Sequence, residues 1–253
     1  MDIMKKHLFF QKIVILSVIL LFSSCITNKQ KLYLQKEDDT RKYDMIAFEQ
    51  YKLSVNDEIV YYLMTTSQET QYLYNAGNIN NSRNKLSYRI YEDGHVVLPT
   101  IGKVEIAGLT LREAEKEITE KFRQIVLDAE VKIALTNNYF YVQGDGGKGR
   151  FFMYKDNLNI FQALALAGDI SNMGNKKEVK IIRKGGDGKD KVETFDLRKE
   201  SIVESEYYYI RPNDVIYIPT NPNSFFRIDS MSSFVSLILA PVSLVVMSLS
   251  FFN

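Results

Sequence analysis

The sequence predicts an α+β fold of two consecutive blocks, preceded by a cleaved leader and followed by a membrane-spanning helix. Three observations lead to this prediction: short runs of alternating apolar residues, a helix-start signal in the first block, and uncharged apolar segments near both ends. At about 100–200 residues per domain, 253 residues allow one or two small domains with buried cores.

The composition excludes several classes of protein. With 32 Lys and Arg against 31 Asp and Glu, the chain lacks the basic excess of a nucleic-acid binder. A single cysteine rules out an internal disulfide and a multi-cysteine metal site. The two histidines, His7 and His95, are too few for a histidine-built zinc site, so we expect no metal and no cofactor.

Residues 1–24 have the pattern of a secretory signal peptide. Lys5 and Lys6 precede an apolar run at 13–22, and small residues follow it. As a helix this run reaches about 15 Å, which is half of a hydrocarbon core of ~30 Å. It is therefore a poor permanent membrane span.

The only cysteine, Cys25, lies at the expected cleavage point. This arrangement resembles a bacterial lipoprotein signal, in which the cysteine receives the lipid and becomes the first mature residue. Phe22 departs from the commoner leucine at its position, and the alternative is an ordinary secreted protein with a buried cysteine. We predict lipidation at Cys25 and a polar tether over residues 25–46.

The first folded block is predicted at residues 47–136 and begins with strands. Alternating apolar residues indicate strands at 51–55 and 58–62, and turn residues between apolar runs indicate a hairpin over 86–98. The polar stretch at 66–86 is interpreted as a long loop.

The clearest helix begins after Thr110, which forms a capping-box pattern with Glu113. One apolar face is predicted from the three-to-four spacing of Leu111, Ala114, Ile118, Phe122 and Ile125. A strand at 131–135 follows this helix.

The second folded block is predicted at residues 137–220. A strand at 139–142 enters a glycine cluster, and a short helix at 160–167 is ended by Gly168. Further strands are predicted at 179–182 and 192–197, and a last hairpin at 207–218.

The glycine cluster at 144–149 superficially suggests phosphate binding. A phosphate loop needs Gly-Lys followed by Ser or Thr at the start of a helix, whereas Lys148 is followed by Gly149. We interpret the cluster as a flexible connection between strands.

No catalytic set is indicated in the mature chain. After removal of the leader, His95 is the remaining histidine, and its Asp93-Gly94-His95 context predicts a solvated hairpin turn. No Asp or Glu has a spacing that identifies it as part of an acid pair. We therefore expect that the protein is not an enzyme.

The tail predicts a C-terminal helix over 224–253. Residues 230–253 carry no charge, and as a helix they reach about 36 Å, enough to cross ~30 Å of hydrocarbon. A mostly small and polar stripe, a candidate for a water-filled lumen or for helix contacts, consists of Ser233, Ser236, Ala240, Ser243, Met247 and Ser250. The alternative is a simple anchor.

Several phrases of the first block resemble the polysaccharide biosynthesis/export family. They are Tyr51-x-Leu53-x-x-x-Asp57, Leu98-Pro-Thr-Ile-Gly102, and Val104-Glu-Ile-Ala-Gly-Leu-Thr-Leu-Arg-Glu-Ala-Glu115. These are folding signatures, since their glycines suit turns and Thr110 caps a helix.

The second block resembles the soluble-ligand-binding β-grasp module of the same family. The matching phrases are Val142-Gln-Gly144, Leu158 to Gly168, and Asp214-Val-Ile-Tyr-Ile-Pro219. Two departures stand out: the cluster at 144–149 replaces a Gly-x-Val-x-x-Pro-Gly stretch, and Asp169 replaces a glycine.

The resemblance implies an outer-membrane lipoprotein with periplasmic domains that exports capsular or exopolysaccharide. Each subunit would contribute one tail helix to a ring of identical subunits, and the polymer would pass through a hydrated lumen. The implied partner is an inner-membrane polysaccharide copolymerase or tyrosine autokinase. The alternative is a non-channel periplasmic module that binds glycan or a partner and is anchored by its tail.

Overall fold

The computed structural model describes residues 32–36, 44–79, 86–185 and 189–222, and residues 235, 236, 239, 240, 243 and 247 of the tail. Its helices and strands form a mixed α+β protein, which confirms the predicted class. Each predicted block contains a hydrophobic core of its own.

The first block contains a three-stranded antiparallel sheet, in the order β2-β1-β5, and a separate hairpin of β3 and β4. The strands are β1 (Glu58–Met64), β2 (Tyr88–Arg89), β3 (His95–Leu98), β4 (Gly102–Glu105) and β5 (Glu130–Leu135). The strand predicted at 51–55 is wrong, because this segment makes an isolated bridge from Lys52 to Thr110 instead. The hairpin predicted over 86–98 is formed in part, through a bridge between Ile90 and Val96.

Helix α2 (Leu111–Arg123) begins at the predicted capping box. The Thr110 hydroxyl accepts from the Glu113 backbone N–H at 3.3 Å, and the Glu113 carboxylate accepts from the Thr110 backbone N–H at 2.8 Å. The helix buries Ala114, Ile118, Thr119 and Phe122. Ile125, predicted on the same face, lies beyond the helix end and is exposed.

Helix α1 (Gln68–Ile79) corrects the prediction of a long loop over 66–86. Ser67 begins it, since the Ser67 hydroxyl accepts from the Thr70 backbone N–H. The buried Asn75 side chain bonds both the N–H and the C=O of Leu63 in β1, at 2.9 and 2.7 Å. Asn75 thus satisfies an edge of β1 that β2 is too short to reach. The polar composition of α1 hides this packing role.

The Asp128 carboxylate anchors the residues that precede α1, and we expect its titration to show the effect of these bonds. Asp128 accepts from the hydroxyl and backbone N–H of Thr66 and from the Thr65 hydroxyl. These bonds, those from Thr66 first, lower the pKa of Asp128 to about 2. Because the pKa in the unfolded chain is about 3.9, the bonds stabilise the fold above that pH, and the stabilisation is lost as the pH falls through about 2.

A carboxyl-carbon NMR titration, assigned with Asp128→Asn, is expected to give this low midpoint. A midpoint near 4 would contradict the anchor.

The second block contains a five-stranded mixed sheet in the order β7-β6-β10-β8-β9. Its strands are β6 (Tyr139–Gly144), β7 (Gly149–Phe152), β8 (Val179–Lys184), β9 (Asp190–Phe195) and β10 (Val215–Ile218). The central β10 runs parallel to β6 and antiparallel to β8. Helix α3 (Ile160–Ala167) contributes Ile160, Ala163, Leu164 and Ala167 to the core.

Helix α3 has the predicted end but the last predicted hairpin is wrong. Gly168 terminates α3 with φ of 97°, a left-handed value that favours glycine. Residues 207–210 form no strand, and Tyr207 and Tyr208 are buried in the core beside α3. Strand β10 pairs with β6 and β8 instead, a long-range pairing that local turn signals do not reveal.

The described parts of the predicted tether contact the second block. Tyr33 packs edge to face on Phe161 in α3, and the Lys176 ammonium lies 3.6 Å from the Tyr33 ring centroid. Gln35 forms a parallel bridge with Lys199, and the Ile46 backbone N–H donates to the Val203 carbonyl. Residues 32–36 and 46 therefore pack against this block.

Candidate functional site between the two sheets

A cleft of about 370 Å³ lies between the two blocks. Its walls include the connecting segment 46–51, the first residues of α2, the end of β5, and the segment 206–212 that precedes β10. Both blocks contribute to this cleft, so its shape depends on how they pack together.

Aromatic and charged side chains line the cleft. Phe48 and Tyr209 pack edge to face with ring centroids 5.3 Å apart. An Arg211 guanidinium nitrogen lies 3.9 Å from a Glu49 carboxylate oxygen. Further charged side chains in the walls are Arg112, Glu115, Asp156 and Glu206. Such walls provide apolar surface beside hydrogen-bonding groups, which suits a polar organic ligand or a peptide segment.

His95 lies away from the cleft, in β3, where its Nδ1 is 2.8 Å from the Asp93 carbonyl oxygen. This is the hairpin-turn position that the sequence predicts. Within the residues that the structure describes, no group of His, Cys, Asp and Glu could hold a metal ion. What the cleft offers is contact surface and hydrogen bonds.

A buried aspartate holds the first-block wall of the cleft. The Asp57 carboxylate accepts from the Tyr51 hydroxyl at 2.7 Å, the Ser54 backbone N–H at 2.8 Å, and the Asn137 side chain at 3.1 Å. Burial, reinforced by the Asp57 carboxylate, raises the pKa of Tyr51. The Tyr51 phenol therefore stays protonated and continues to donate at alkaline pH.

A second buried aspartate holds the opposite wall. Asp214 accepts two hydrogen bonds from the Arg183 guanidinium, at 2.7 and 2.9 Å, and one from the Arg211 backbone N–H at 2.8 Å. Burial raises the pKa of Asp214, and the bonds from Arg183 oppose that rise. Arg183 also donates to the backbone carbonyls of Glu206 and Tyr209, so it fixes the segment that carries Tyr209 into the cleft.

The two aspartate turns share a sequence pattern and a backbone geometry. Both fill the pattern Tyr-x-(Leu/Ile)-x-x-Asn-Asp, at 51–57 and at 208–214. Asn56 and Asn213 adopt left-handed backbone with φ of 72° and 69°. In both turns the aspartate accepts from the backbone N–H three residues earlier. This repeat is visible in the sequence, although its two halves lie in different blocks.

The glycine cluster connects β6 to β7, as predicted, but it is tightly packed and not the flexible connection that the sequence suggests. Gly144 has φ of 96° and lies against β10. A Cβ on Gly147 would collide with the Ala167 carbonyl oxygen at the end of α3. The glycines therefore permit a close approach of backbone to backbone.

Replacing Gly147 by alanine is expected to lower the free energy of unfolding by about 1–3 kcal/mol, because the added Cβ meets backbone that cannot rotate away. Denaturant unfolding of the full chain measures this change. Lys148→Ala, an exposed neighbour, is the control and is expected to change stability by less than ~0.5 kcal/mol. Equal effects of the two substitutions would contradict the close approach.

Asp169, the second departure from the family pattern, has a structural role. It adopts left-handed backbone with φ of 66°, which suits the glycine usual at this position. Its Oδ1 accepts from the Tyr33 hydroxyl at 2.5 Å and from the Ile170 backbone N–H at 2.6 Å. The substitution therefore links the N-terminal segment to the second block.

The other sequence-predicted site residues lie away from this cleft or outside the described chain. Cys25, Ser233 and Ser250 are outside the described residues. The remaining stripe residues, Ser236, Ala240, Ser243 and Met247, have helical backbone and are exposed. The Ser243 hydroxyl donates to the Ala240 carbonyl at 2.8 Å.

The predicted membrane span at 224–253 lies mostly outside the described residues. Across the part of the chain that the structure covers, none of the helices combines the length and the hydropathy that crossing a membrane requires.

The fold and the cleft define a two-block α+β protein whose candidate site can bind a ligand through surface contacts and hydrogen bonds. The family model of polysaccharide biosynthesis/export proteins matches residues 47–136, which include the Asp57 turn, α2 and β5. This match confirms the resemblance to that family that the sequence of the first block shows. The family implies a role in polysaccharide export.

Proposed function

We propose that the protein is an outer-membrane lipoprotein whose subunits form a ring-shaped channel for export of capsular or exopolysaccharide. The match of residues 47–136 to the export family carries this proposal. The chain would act without catalysis, because a polymer that moves through a hydrated lumen needs no reacting side chain. The driving energy would come from polymer synthesis and from an inner-membrane copolymerase or tyrosine autokinase.

The second block would be the soluble-ligand-binding β-grasp module. The mixed sheet with a central parallel pair and one helix on its core side supports this assignment. Its family-like phrases lie at structurally demanding places: Gly144 beside β10, Gly168 at the end of α3, and Asp214 on Arg183.

The tail would supply the membrane-spanning ring of helices, and Cys25 the lipid. Helical, exposed backbone at Ser236, Ala240 and Ser243 supports a stripe available to water or to a neighbouring helix. Leu239, which is also exposed, lies off this stripe and suits lipid.

The alternative is a non-channel periplasmic lipoprotein that binds glycan or an assembly partner. The cleft with Phe48 and Tyr209 favours this alternative, because it offers a site that a passive channel would not need. Subunit assembly distinguishes the two: a channel requires a closed ring, and a tethered module does not.

The proposal is tested in a strain that lacks this protein, complemented with the natural chain or with Cys25→Ser. We expect surface polysaccharide to disappear on deletion and to return with the natural chain. Cys25→Ser is expected to remain an uncleaved, unlipidated precursor that does not restore export. Unchanged surface polysaccharide in the deletion strain would contradict the export role, and normal processing of Cys25→Ser would contradict lipidation.

A further inference from the structure

We propose that the solvent-facing side of the five-stranded sheet, called the outer face below, binds a segment of acidic polysaccharide. The outer face is defined by Tyr139, Tyr141, Arg150, Phe152, Lys180 and Tyr217. This inference deepens the proposed function, on which it rests, by naming a contact surface and a class of polymer.

The strand register places these side chains together. Residues directly opposite each other on neighbouring strands share one face of a sheet. Tyr139 lies opposite Phe152, and Tyr141 opposite Arg150. On the same face, Tyr141 in β6 also lies opposite Val215 in the neighbouring strand β10. Tyr217 in β10 lies opposite Lys180 in β8.

The alternating residues of the same strands form the core, so the outer face points away from it. Phe140, Val142 and Ile216 are buried beneath α3. Phe152 and Tyr217, by contrast, are 57% and 39% exposed. Both rings are therefore accessible to a ligand.

Aromatic rings of this exposure suit sugars. The C–H faces of a pyranose ring are apolar, and an exposed aromatic ring provides a matching flat surface. Residues two apart on a strand lie about 7 Å apart and neighbouring strands about 4.8 Å apart, so the rings can contact successive sugar units. The Tyr139 and Phe152 rings already pack edge to face at 5.6 Å, which fixes their orientation.

The charges on the outer face favour an acidic polymer. The Arg150 guanidinium lies 4.4 Å from the Tyr139 ring centroid, and Lys180 and Lys184 lie on the same face across the sheet. Asp190, opposite Lys184, is the one acidic side chain among the described strand residues of this face. The excess of positive charge complements sugar carboxylates, so we expect weaker binding as salt is added.

Affinity electrophoresis of the full-length chain in detergent tests this inference, with polygalacturonate as the acidic probe and dextran as the neutral one. We expect retardation by polygalacturonate and less by dextran. Tyr217→Ala, Phe152→Ala and Arg150→Gln are each expected to weaken polygalacturonate binding about threefold to tenfold. Tyr72→Ala, an exposed tyrosine in α1 of the first block, is the control and is expected to bind normally.

Three results would overturn the inference: no retardation of the natural chain by polygalacturonate, equal retardation by both polymers, or equal weakening by Tyr72→Ala. Loss of self-association in the outer-face variants, with binding unchanged, would identify the face as a contact between copies and would also overturn it. Surface polysaccharide in the complemented deletion strain is measured separately. If the natural chain restores export but does not bind polygalacturonate, only this inference is contradicted. If deletion leaves export unaffected, the proposed function is contradicted.

Discussion

Replacing Arg183 by methionine is expected to lower the free energy of unfolding by about 3–5 kcal/mol. The substitution leaves the Asp214 carboxylate buried at 1% exposure without the two guanidinium hydrogen bonds that compensate its charge. It also leaves the carbonyls of Glu206 and Tyr209 without their donors, so the cleft wall that carries Tyr209 should loosen. Denaturant unfolding of the full chain in detergent measures the change.

The matched control is Arg89→Met, which removes an exposed arginine 3.4 Å from Glu58. An exposed pair of this kind contributes about 0–1 kcal/mol, so the control should unfold almost like the natural chain. A similar small effect for Arg183→Met would mean that Asp214 is not held by Arg183 in solution.

Placing aspartate at residue 239 of the tail is expected to abolish assembly in the outer membrane, whereas aspartate at residue 236 should be tolerated. A charge facing lipid costs about 2.5–3.5 kcal/mol on insertion scales, and one beside water costs much less. Leu239 lies on the proposed lipid side and Ser236 on the stripe. Outer-membrane recovery and surface polysaccharide of Leu239→Asp and Ser236→Asp are the measurements.

Single cysteines at the same two positions, in a chain that retains Cys25, give an independent readout. A water-soluble thiol reagent should label the cysteine at residue 236 and spare the one at residue 239. If the reagent labels neither cysteine and the two aspartate variants insert equally poorly, the tail does not line a water-filled lumen. The tail would then act as a simple membrane anchor.

Local signals predicted the parts of the fold that depend on neighbouring residues. Thr110 with Glu113 marks the start of α2, and Gly168 marks the end of α3, because capping satisfies backbone groups within a few residues. Helix α1 escapes prediction because it is held by the bonds of Asn75 to β1 and by the single ring of Tyr74 on Phe122, and not by a periodic apolar face. These contacts join two different segments of the chain, and the residue pattern within one segment does not reveal them.

The candidate site was predictable to a smaller extent. The Asp57 and Asp214 phrases were recognised, but the partner of Asp214 is Arg183, 31 residues away, on a strand whose pairing no local signal fixes. The outer face likewise depends on the parallel pairing of β10 with β6, which brings Tyr141 beside Val215. Strand order is set by the assembled core, so these neighbours become visible in the structure.

Single-particle electron microscopy of the full-length protein, extracted from membranes in detergent, tests the proposed channel most directly. The channel predicts closed rings with a central lumen, in which the tail helices surround the narrow membrane end. Monomers, or oligomers that do not close around a lumen, would contradict it.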